Sequence, residues 1–326
     1  MPHASAAPAR AGASAPVLFF LATFIWGTTW LAIKFQLGAV APEVSVGWRF
    51  ALASALLLAW SGARGLPLRF GLRDHADFAV LGLLLFGVNY VLVYLAEQYL
   101  TSGLVAVLFS SLVFWNLAGA RIFFGTPAPP AVLVGAVVGV AGVVLLFWPE
   151  LASVRGNAGA GLGVAYAVVS TLIASAGNLW SQRVFGQGRP VVQGTGFAMG
   201  YAALGVLTWC AVRGLTFTFD TGWPYVLSLI YLALFGSVVA FVAYLTLLQR
   251  IGAGRAGYTA AVIPVVAMLA STLFEGYRWT GSSAAGMVLV LIGTVLVLRA
   301  KERAAAPAGV ERGAAAGGPP AAIVGD

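Results

Sequence analysis

Charge is scarce in this sequence. Only 9% of the residues are Asp, Glu, Lys or Arg, whereas 60% are hydrophobic, and the mean hydropathy is +0.94. A soluble domain carries about 25% charged residues, so this chain has too few polar groups to cover its surface in water. The composition therefore predicts an all-α membrane protein whose helices are solvated by lipid.

Residues needed for several kinds of chemistry are also scarce. The single cysteine, Cys210, excludes a disulfide or a cysteine metal site within one chain. The two histidines, His3 and His75, fall in a tail and at the start of an apolar segment, where neither suits a ligand cluster. The sequence has no GxxxxGKS/T phosphate-binding loop and no recognisable Ser–His pair or acid pair within its apolar segments. We therefore expect neither an enzyme nor a metal or other cofactor.

The chain does contain a series of long apolar segments, separated by Gly, Pro and charged residues. Each segment is near the ~20 residues that cross the hydrocarbon core as an α-helix. The tails, 1–15 and 300–326, are rich in Ala, Gly and Pro and are predicted to be disordered. Ten spans are predicted, at residues 16–35, 43–62, 77–97, 101–122, 130–148, 160–182, 191–212, 223–248, 256–274 and 282–299.

Lys and Arg are distributed unequally between the two sides of these spans. If the N-terminus is cytoplasmic, most of the 18 Lys and Arg residues fall in cytoplasmic segments. We therefore expect a multi-pass protein of a bacterial inner membrane with both termini in the cytoplasm. The net charge of +8 fits this placement beside anionic lipid. Because the cations are scattered over short loops, we expect no nucleic-acid partner.

The second half of the sequence resembles the first. Val113–Phe124 aligns with Pro264–Glu275, and Trp30 matches Trp180 with a shift of one residue. We therefore predict two five-helix repeats, 16–148 and 160–299, joined by a periplasmic linker at 149–159. A unit of five spans ends on the side opposite its start, so the second copy is inverted. Inverted repeats recur in secondary transporters, with the substrate site where the halves meet. An accidental match of glycine-rich helices is the alternative.

Arg49 is the polar residue whose predicted position in the membrane is the most costly. A central Arg costs ~2.5–3.5 kcal/mol on insertion scales, so a carboxylate, backbone carbonyls or an anionic substrate should stabilise it. The alternative is a charge that orders the helix or extends to an interface.

Other polar and aromatic residues predict a wet pathway between the halves. Trp26, Trp30 and Lys34 recur every four residues and share one face of the first span. For each such residue the alternative is an interfacial anchor or a helix–helix hydrogen bond. The residues predicted to line the pathway are Trp26, Trp30, Lys34, Arg49, Asn89, Tyr90, Tyr94, Ser111, Trp115, Asn178, Tyr244 and Tyr258.

Small residues form a separate pattern. Gly135, Gly139 and Gly142 lie on one side of the fifth span, and Gly286 and Gly293 on one side of the tenth. Such faces let helices approach closely. We expect these spans to pack within the chain or in a homodimer, and not to line the pathway.

Short motifs recur along the membrane segments in a characteristic order. They are Trp26-Gly27 followed by Lys34, Pro42 followed by Arg49-Phe50, Pro264 followed by Glu275, and the Gly-rich ends of both halves. With these motifs and its duplicated layout, the sequence over about residues 16–299 resembles the EamA-type branch of the drug/metabolite transporter superfamily. The resemblance implies ten spans and an exporter of amino acids, related metabolites or drugs, driven by a proton or ion gradient.

The sequence departs from this family where the first half would carry a Pro and a Glu. Val113 and Phe124 stand there, so a hinge at Pro264 and acidic chemistry at Glu275 could come only from the second half. Glu275 is predicted at the outer end of its span, where simply facing water is the alternative. Glu97 is the other candidate to couple transport to a proton, and exchange without a proton is a further alternative.

These observations predict a secondary-active inner-membrane transporter that exports amino acids or related metabolites by alternating access. Lys34 or Arg49 would attract an anionic group of the small-molecule substrate, and the aromatic faces would hold an apolar part. A broad drug exporter and a sugar-conjugate or lipid-precursor carrier are alternatives. A non-transporting membrane scaffold or sensor, from another class, predicts a filled centre and a partner domain.

Overall fold

The computed structural model describes residues 14–125, 129–146, 148, 158–244, 246–247 and 259–305. Regular structure in these residues is entirely helical. This agrees with a lipid environment, because a helix satisfies its backbone hydrogen bonds within its own segment. The α-helices are α1 (Ala15–Lys34), α2 (Pro42–Ala63), α3 (Leu72–Gly82), α4 (Asn89–Glu97), α5 (Ser102–Ser110), α6 (Leu112–Phe124), α7 (Pro130–Leu146), α8 (Ala158–Gly186), α9 (Val191–Val212), α10 (Trp223–Ile230), α11 (Thr259–Phe274) and α12 (Gly281–Ala305).

Eight helical stretches of the described chain are long and apolar enough to cross a membrane. Two further apolar helices, Pro130–Leu146 and Val262–Phe274, are shorter. The predicted spans fall on these helices, but some ends differ. The span expected to begin at residue 77 begins at Leu72, because the Asp74 carboxylate accepts a 3.1 Å hydrogen bond from the Gly71 N–H at the start of α3.

Two spans change their helical pitch midway. Segment π1 (Leu83–Val88) joins α3 to α4, and segment π2 (Tyr231–Val239) follows α10, and both are π-helical. Each contains the sequence Leu-x-Leu-Phe-Gly, which ends at Gly87 in π1 and at Gly236 in π2. π-Helical turns are rare and often mark functional sites, because they free backbone carbonyls from the regular pattern.

Several helix pairs join the halves of the chain, and two of them have the most extensive contacts. α2 packs against α9, and α7 packs against α12. A Cβ added to Gly142 would lie 2.6 Å from the Val290 backbone nitrogen. A Cβ added to Gly293 would lie 2.4 Å from the Gly139 backbone nitrogen. The small-residue faces predicted on the fifth and tenth spans therefore pack against each other within the chain, at a distance that only glycine allows.

The span α3–π1–α4 defines the two ends of the bundle. Lys34 donates a hydrogen bond to the Glu97 carbonyl at the end of α4, whereas Arg189 pairs with Asp74 at the start of α3. We call these the Lys34 end and the Arg189 end. The two ends are about 35 Å apart along this span, at 1.5 Å per helical residue.

The predicted tails and linker fall largely outside the described residues. α12 continues to Ala305, beyond the predicted end of the last span at 299. Tyr258, one of the predicted pathway residues, also lies outside the described part of the chain.

Candidate functional site

Arg49, on α2, lies in the centre of the bundle with 1% of its surface exposed. Its guanidinium lies 4.7 Å from the ring centroid of Tyr90 and 5.1 Å from that of Phe50. Within the described residues, its Nε and Nη1 have no hydrogen-bond partner. The aromatic faces attract the cation, but they do not accept hydrogen bonds as a carboxylate would. The guanidinium therefore keeps donors available for an anionic group.

Glu97, on α4, is buried with 0% of its surface exposed. Neither carboxylate oxygen has a hydrogen-bond partner among the described residues. The carboxylate interacts electrostatically with Arg49, Lys34 and Glu275. Asn89, at the other end of α4, donates through Nδ2 to the Leu85 carbonyl at 2.9 Å. The carboxylate oxygens of Glu97, on α4, and the guanidinium donors of Arg49, on α2, that are unpaired within the described chain therefore both lie in the buried interior.

A chain of hydrogen bonds leads from the centre toward the Lys34 end. The Tyr94 hydroxyl donates to Gln36 Oε1 at 3.4 Å, and Gln36 Nε2 donates to Ser228 Oγ at 3.2 Å and to the Tyr225 carbonyl at 3.3 Å. The Tyr225 hydroxyl lies 3.0 Å from Ser45 Oγ. Because Tyr225 and Ser228 belong to α10, this chain joins the two halves through side chains that are almost completely buried.

The π2 segment brings its backbone close to the same centre. Trp26 Nε1 donates to the Gly236 carbonyl at 3.1 Å, and the Trp26 ring lies 5.2 Å from that of Tyr244. A Cβ added to Gly236 would lie 2.7 Å from Thr29 Cγ2 and 3.6 Å from Arg49 Nη2. Because Gly236 has no side chain, Thr29 of α1 and Arg49 of α2 can both approach the π2 backbone. The hydrogen bond from Trp26 to the same glycine brings an aromatic ring to this place as well.

Lys34 and Glu275 meet at the end of the bundle. Lys34 Nζ donates to the carbonyls of Glu97 and Leu100, the latter at 2.6 Å, and lies 3.6 Å from Glu275 Oε1. Both Glu275 oxygens accept from the Ser102 N–H, at 3.0 and 3.1 Å, and the Ser102 hydroxyl also donates to Glu275. Glu275 therefore does not simply face water, since only 12% of its side chain is exposed.

The arrangement as a whole provides a buried cation, a buried carboxylate and aromatic surfaces where helices of both halves meet. Arg49 and Glu97 are buried in this conformation, so a small molecule with a charged group and an apolar part could reach these side chains only after the surrounding helices separate. Among the described residues, no three His, Cys, Asp or Glu side chains are grouped so that they could hold a metal ion.

Comparison with known proteins assigns this architecture to a family. The EamA-like transporter family matches residues 13–148 and, a second time, residues 161–299. The chain belongs to the EamA-like transporter family. The resemblance inferred from the motifs is thus confirmed, and the EamA repeat occurs twice along the chain.

Three relatives that match this EamA chain over most of their length carry the names of transporters or of an efflux pump. It is 31% identical over 290 residues to the uncharacterized inner membrane transporter YedA of Escherichia coli K12, covering 86% of this chain and 90% of the relative. It is 24% identical over 289 residues to a probable amino-acid metabolite efflux pump of the same organism, covering 85% and 92%. An uncharacterized transporter of Archaeoglobus fulgidus is 25% identical over 284 residues, covering 87% and 98%.

One solved structure has the same fold as this EamA chain. The crystal structure is 21% identical in sequence and has a TM-score of 0.63, with 89% of this chain and 98% of that chain covered. At this identity the likeness shows the fold alone.

Other predicted pathway residues of the EamA chain have more local contacts. The Trp30 ring lies 5.3 Å from that of Phe109, and Asn178 Nδ2 donates to Asn116 Oδ1 at 3.5 Å. The first contact joins α1 to α5, and the second joins α8 to α6. These contacts fit the helix–helix packing that was the alternative for each residue.

Ser111 and Trp115, which are also predicted to line the pathway, differ in burial. Both lie in the fourth span, which α5 and α6 form. Ser111 is 9% exposed, whereas Trp115 is 38% exposed. Trp115 is therefore not enclosed in the bundle as Arg49 and Glu97 are.

Three contributors to the site were missed from the sequence. Gln36 follows the last residue of α1, where an amide resembles a loop residue. Ser102 contributes through its backbone N–H as well as its hydroxyl, so residue type does not reveal it. Gly236 could have been found, because the Leu-x-Leu-Phe-Gly sequence occurs in both halves.

Proposed function

We propose that this chain is a secondary-active transporter of a bacterial inner membrane, which exports amino acids or related small metabolites by alternating access. Its two EamA repeats would be inverted five-helix units, with both chain termini in the cytoplasm. The substrate would bind between the repeats, with an anionic group on Arg49 and an apolar part against the aromatic side chains.

The buried guanidinium of Arg49 is the observation that carries this proposal. An arginine in a membrane centre is stable only with partners, yet its Nε and Nη1 lack hydrogen-bond partners in the described part of the chain. A carboxylate is a strong bidentate acceptor for such a group. The name of one relative, the probable amino-acid metabolite efflux pump, supports an amino-acid metabolite as the cargo.

The packing of the two halves supports alternating access. α2 of the first half pairs with α9 of the second, and α7 pairs with α12. Each pair joins corresponding helices, as a twofold axis in the membrane plane would require. π1 and π2 occupy corresponding spans, and Pro264 interrupts the hydrogen bonds of α11 as a candidate hinge.

Glu97 supports coupling to a proton gradient. Its carboxylate is buried and has no hydrogen-bond partner among the described residues, whereas Glu275 is held by Ser102 and Lys34. A buried carboxylate near a cation can exchange a proton without disturbing the packing of a helix end. We therefore propose Glu97, and not Glu275, as the coupling residue.

Substrate binding by Arg49 can be tested in two steps. Compounds released by cells with and without the protein are compared first, and the compound that differs is then used for counterflow in proteoliposomes. Arg49→Met should lower the initial rate at least about tenfold, because hydrogen bonds to a charged group contribute about 1.5–3 kcal/mol. Arg49→Lys should retain part of the rate, since it keeps the charge but loses the bidentate geometry.

Arg213 provides a matched control for the loss of a cation. It is exposed and stacks on Trp209 at 5.4 Å, away from the charged cluster of Glu97, so Arg213→Met should leave the rate unchanged. Full counterflow by a folded Arg49→Met protein would refute the proposed binding role.

A broad drug exporter is the second candidate, because the centre is rich in aromatic rings. Trp26 contacts both Tyr244 and Phe241, with ring centroids 5.2 and 5.6 Å away. If uncharged aromatic compounds are transported and Arg49→Met leaves their rate unchanged, this second candidate replaces the first.

A further inference from the structure

The turn between α4 and α5 is held by two charged side chains that come from other helices. Lys34, at the end of α1, donates to the carbonyls of Glu97 and Leu100. The Glu97 carbonyl lies at the C-terminal end of α4, where helical acceptors lack partners and where the helix dipole favours a cation, and the Leu100 carbonyl lies in the turn that follows.

Glu275 has the complementary role at the start of the next helix. No side chain of its own turn caps α5, whose N-cap residue is Thr101. The Glu275 carboxylate, which follows α11, accepts instead from the Ser102 N–H and hydroxyl. A carboxylate at a helix N-terminus is stabilised both by the free N–H groups and by the dipole.

The two side chains also contact each other, with Lys34 Nζ 3.6 Å from Glu275 Oε1. We call Lys34, Glu275 and Ser102 the Lys34 latch. The latch ties α1 and the α4–α5 turn of the first half to α11 of the second half. Because 26% of the Lys34 side chain is exposed, water can replace its contacts when the helices separate.

A different set of charges ties the halves together at the opposite end. Arg189 Nε lies 2.6 Å from Asp74 Oδ1, and its Nη2 lies 3.0 Å from Asp77 Oδ2. Trp180 Nε1 donates to the Asp77 carbonyl at 3.1 Å. We call Arg189, Asp74 and Asp77 the Arg189 latch. The two latches hold opposite ends of the span α3–π1–α4.

The Lys34 latch is not duplicated by the sequence repeat. With the offsets of that repeat, Val184 corresponds to Lys34 and Phe124 corresponds to Glu275. The ends of the molecule are therefore closed by different chemistry, so each can be opened by its own substitution.

We propose that the Lys34 latch is the closing device of the Lys34 end of the transport pathway, and that it breaks each time this end opens. The inference rests on the proposed alternating access. In the conformation described, both latches are formed, and Arg49 and Glu97 between them are buried. Opening one end requires only its own latch to break, while the other keeps the opposite end closed.

The accessibility of a buried cysteine can test the proposal without any substrate. Thr29 is 8% exposed and lies beside Gly236 near Arg49, so Thr29→Cys in a Cys210→Ser background reports on the centre. A membrane-impermeant thiol reagent is applied from the side of the Lys34 end. Lys34→Met and Glu275→Gln should each accelerate labelling about tenfold, as expected for lost charged hydrogen bonds.

Conservative and exchanged variants separate the latch from a simple ion pair. Lys34→Arg should label slowly, like the parent, because arginine also donates to carbonyls. The double exchange Lys34→Glu with Glu275→Lys should label fast, because each charge then meets the wrong end of a helix. Slow labelling of the double exchange would show that only the pairing of opposite charges matters, which contradicts the proposal.

Two control substitutions lie outside the latch. Glu43→Gln and Arg213→Met remove charges at the start of α2 and just after α9, and both should label at the parent rate. Arg189→Met should accelerate labelling only from the opposite side, where the Arg189 latch closes the bundle.

Three further results would overturn the proposal: parent-rate labelling of both latch variants, equal acceleration from both sides, or acceleration in the controls. If Lys34→Met does not give folded protein, Glu275→Gln decides, because it keeps an acceptor for Ser102. Labelling needs no cargo, so a failed latch is distinguishable from a failed transport assignment, which counterflow measures.

Discussion

Glu97 and Glu275 show how two carboxylates of one chain acquire different roles from their surroundings. Glu275 accepts hydrogen bonds from Ser102 and lies beside Lys34, so its charge stabilises a helix end. Glu97 is fully buried, and its oxygens have no partner in the described residues. At the residue scale, the second environment suits proton exchange and the first suits structure.

The residue-scale prediction concerns the coupling role proposed for Glu97. Glu97→Gln should lose uptake or efflux driven by a pH gradient, because the amide cannot bind and release the proton. Substrate counterflow without a gradient should persist, since the binding role proposed for Arg49 does not depend on Glu97. Both rates are measured in the same proteoliposomes.

Glu43→Gln is the matched control, because it removes a carboxylate from the first turn of α2 and should retain both rates. A Glu97→Gln protein that still follows the pH gradient would rule out Glu97 as the coupling residue.

At the scale of the element, two departures from regular helices shape the molecule. The π-helical turn of π2 presents Gly236 to Trp26, Thr29 and Arg49, so a change of pitch brings backbone into the site. The glycine faces of α7 and α12 let two helix backbones meet without intervening side chains. The π2 turn positions the site, and the glycine faces of α7 and α12 join the two halves of the chain.

Gly142→Ala is the element-scale prediction. Replacing glycine by alanine within a helix normally stabilises a protein by about 0.4–1 kcal/mol. Here the new methyl group would lie 2.6 Å from the Val290 nitrogen, so we expect a loss of about 1–3 kcal/mol through overpacking. Thermal unfolding in detergent measures the change.

Gly186→Ala serves as the control, because a Cβ at this position meets no atom within 4 Å. It should be neutral or slightly stabilising. An unfolding temperature of Gly142→Ala equal to that of Gly186→Ala would contradict the close packing of α7 on α12.

At the scale of the whole molecule, the two EamA repeats share one bundle whose charged centre lies between them. Side chains of α2, α4 and α10 join one hydrogen-bonded chain through Gln36, and α1 reaches π2 through the separate bond from Trp26 to Gly236. The proposed alternating access would be a property of this joint arrangement, since neither half encloses Arg49 alone.

The whole-molecule prediction is that the linker and the termini lie on opposite sides of the membrane. In a Cys210→Ser background, Ser153→Cys should react with an impermeant thiol reagent in cells whose inner membrane is intact. Ser5→Cys should react only after that membrane is opened, because an odd number of spans separates the two positions. Ala321→Cys should behave like Ser5→Cys. Labelling of all three from one side would exclude inverted repeats with five spans each.

Arg49 shows how far the site could be predicted from the sequence. Placing a charged arginine within an apolar span costs free energy whichever helices surround it, so the need for a partner can be predicted from the sequence alone. The identity of those neighbours depends on which helices face α2. Tyr90 lies over the guanidinium because α4 packs there, and spacing along the chain carries no information on that contact.

Gln36 and Trp115 illustrate the remaining limits. Gln36 stands at the boundary of the first predicted span, but it is 1% exposed because α10 covers it. The sequence places Trp115 among the predicted pathway residues, but its exposed fraction, 38%, depends on which helices cover α6. Both exposures are set by contacts between helices, which spacing along the chain does not predict.

The sequence by itself determined that lipid is the solvent, where the helical segments lie, and that a costly cation is buried among them. These properties follow from hydrophobicity, length and residue type, which act locally along the chain. The order of the short motifs carried the resemblance to the family. The tertiary structure alone decided which side chains meet: Lys34 with Glu275, Tyr94 with Gln36, and Arg189 with Asp74. The physical reason is that these contacts join distant spans, whose relative rotation and approach are set by packing, including that of glycines such as Gly142 and Gly293.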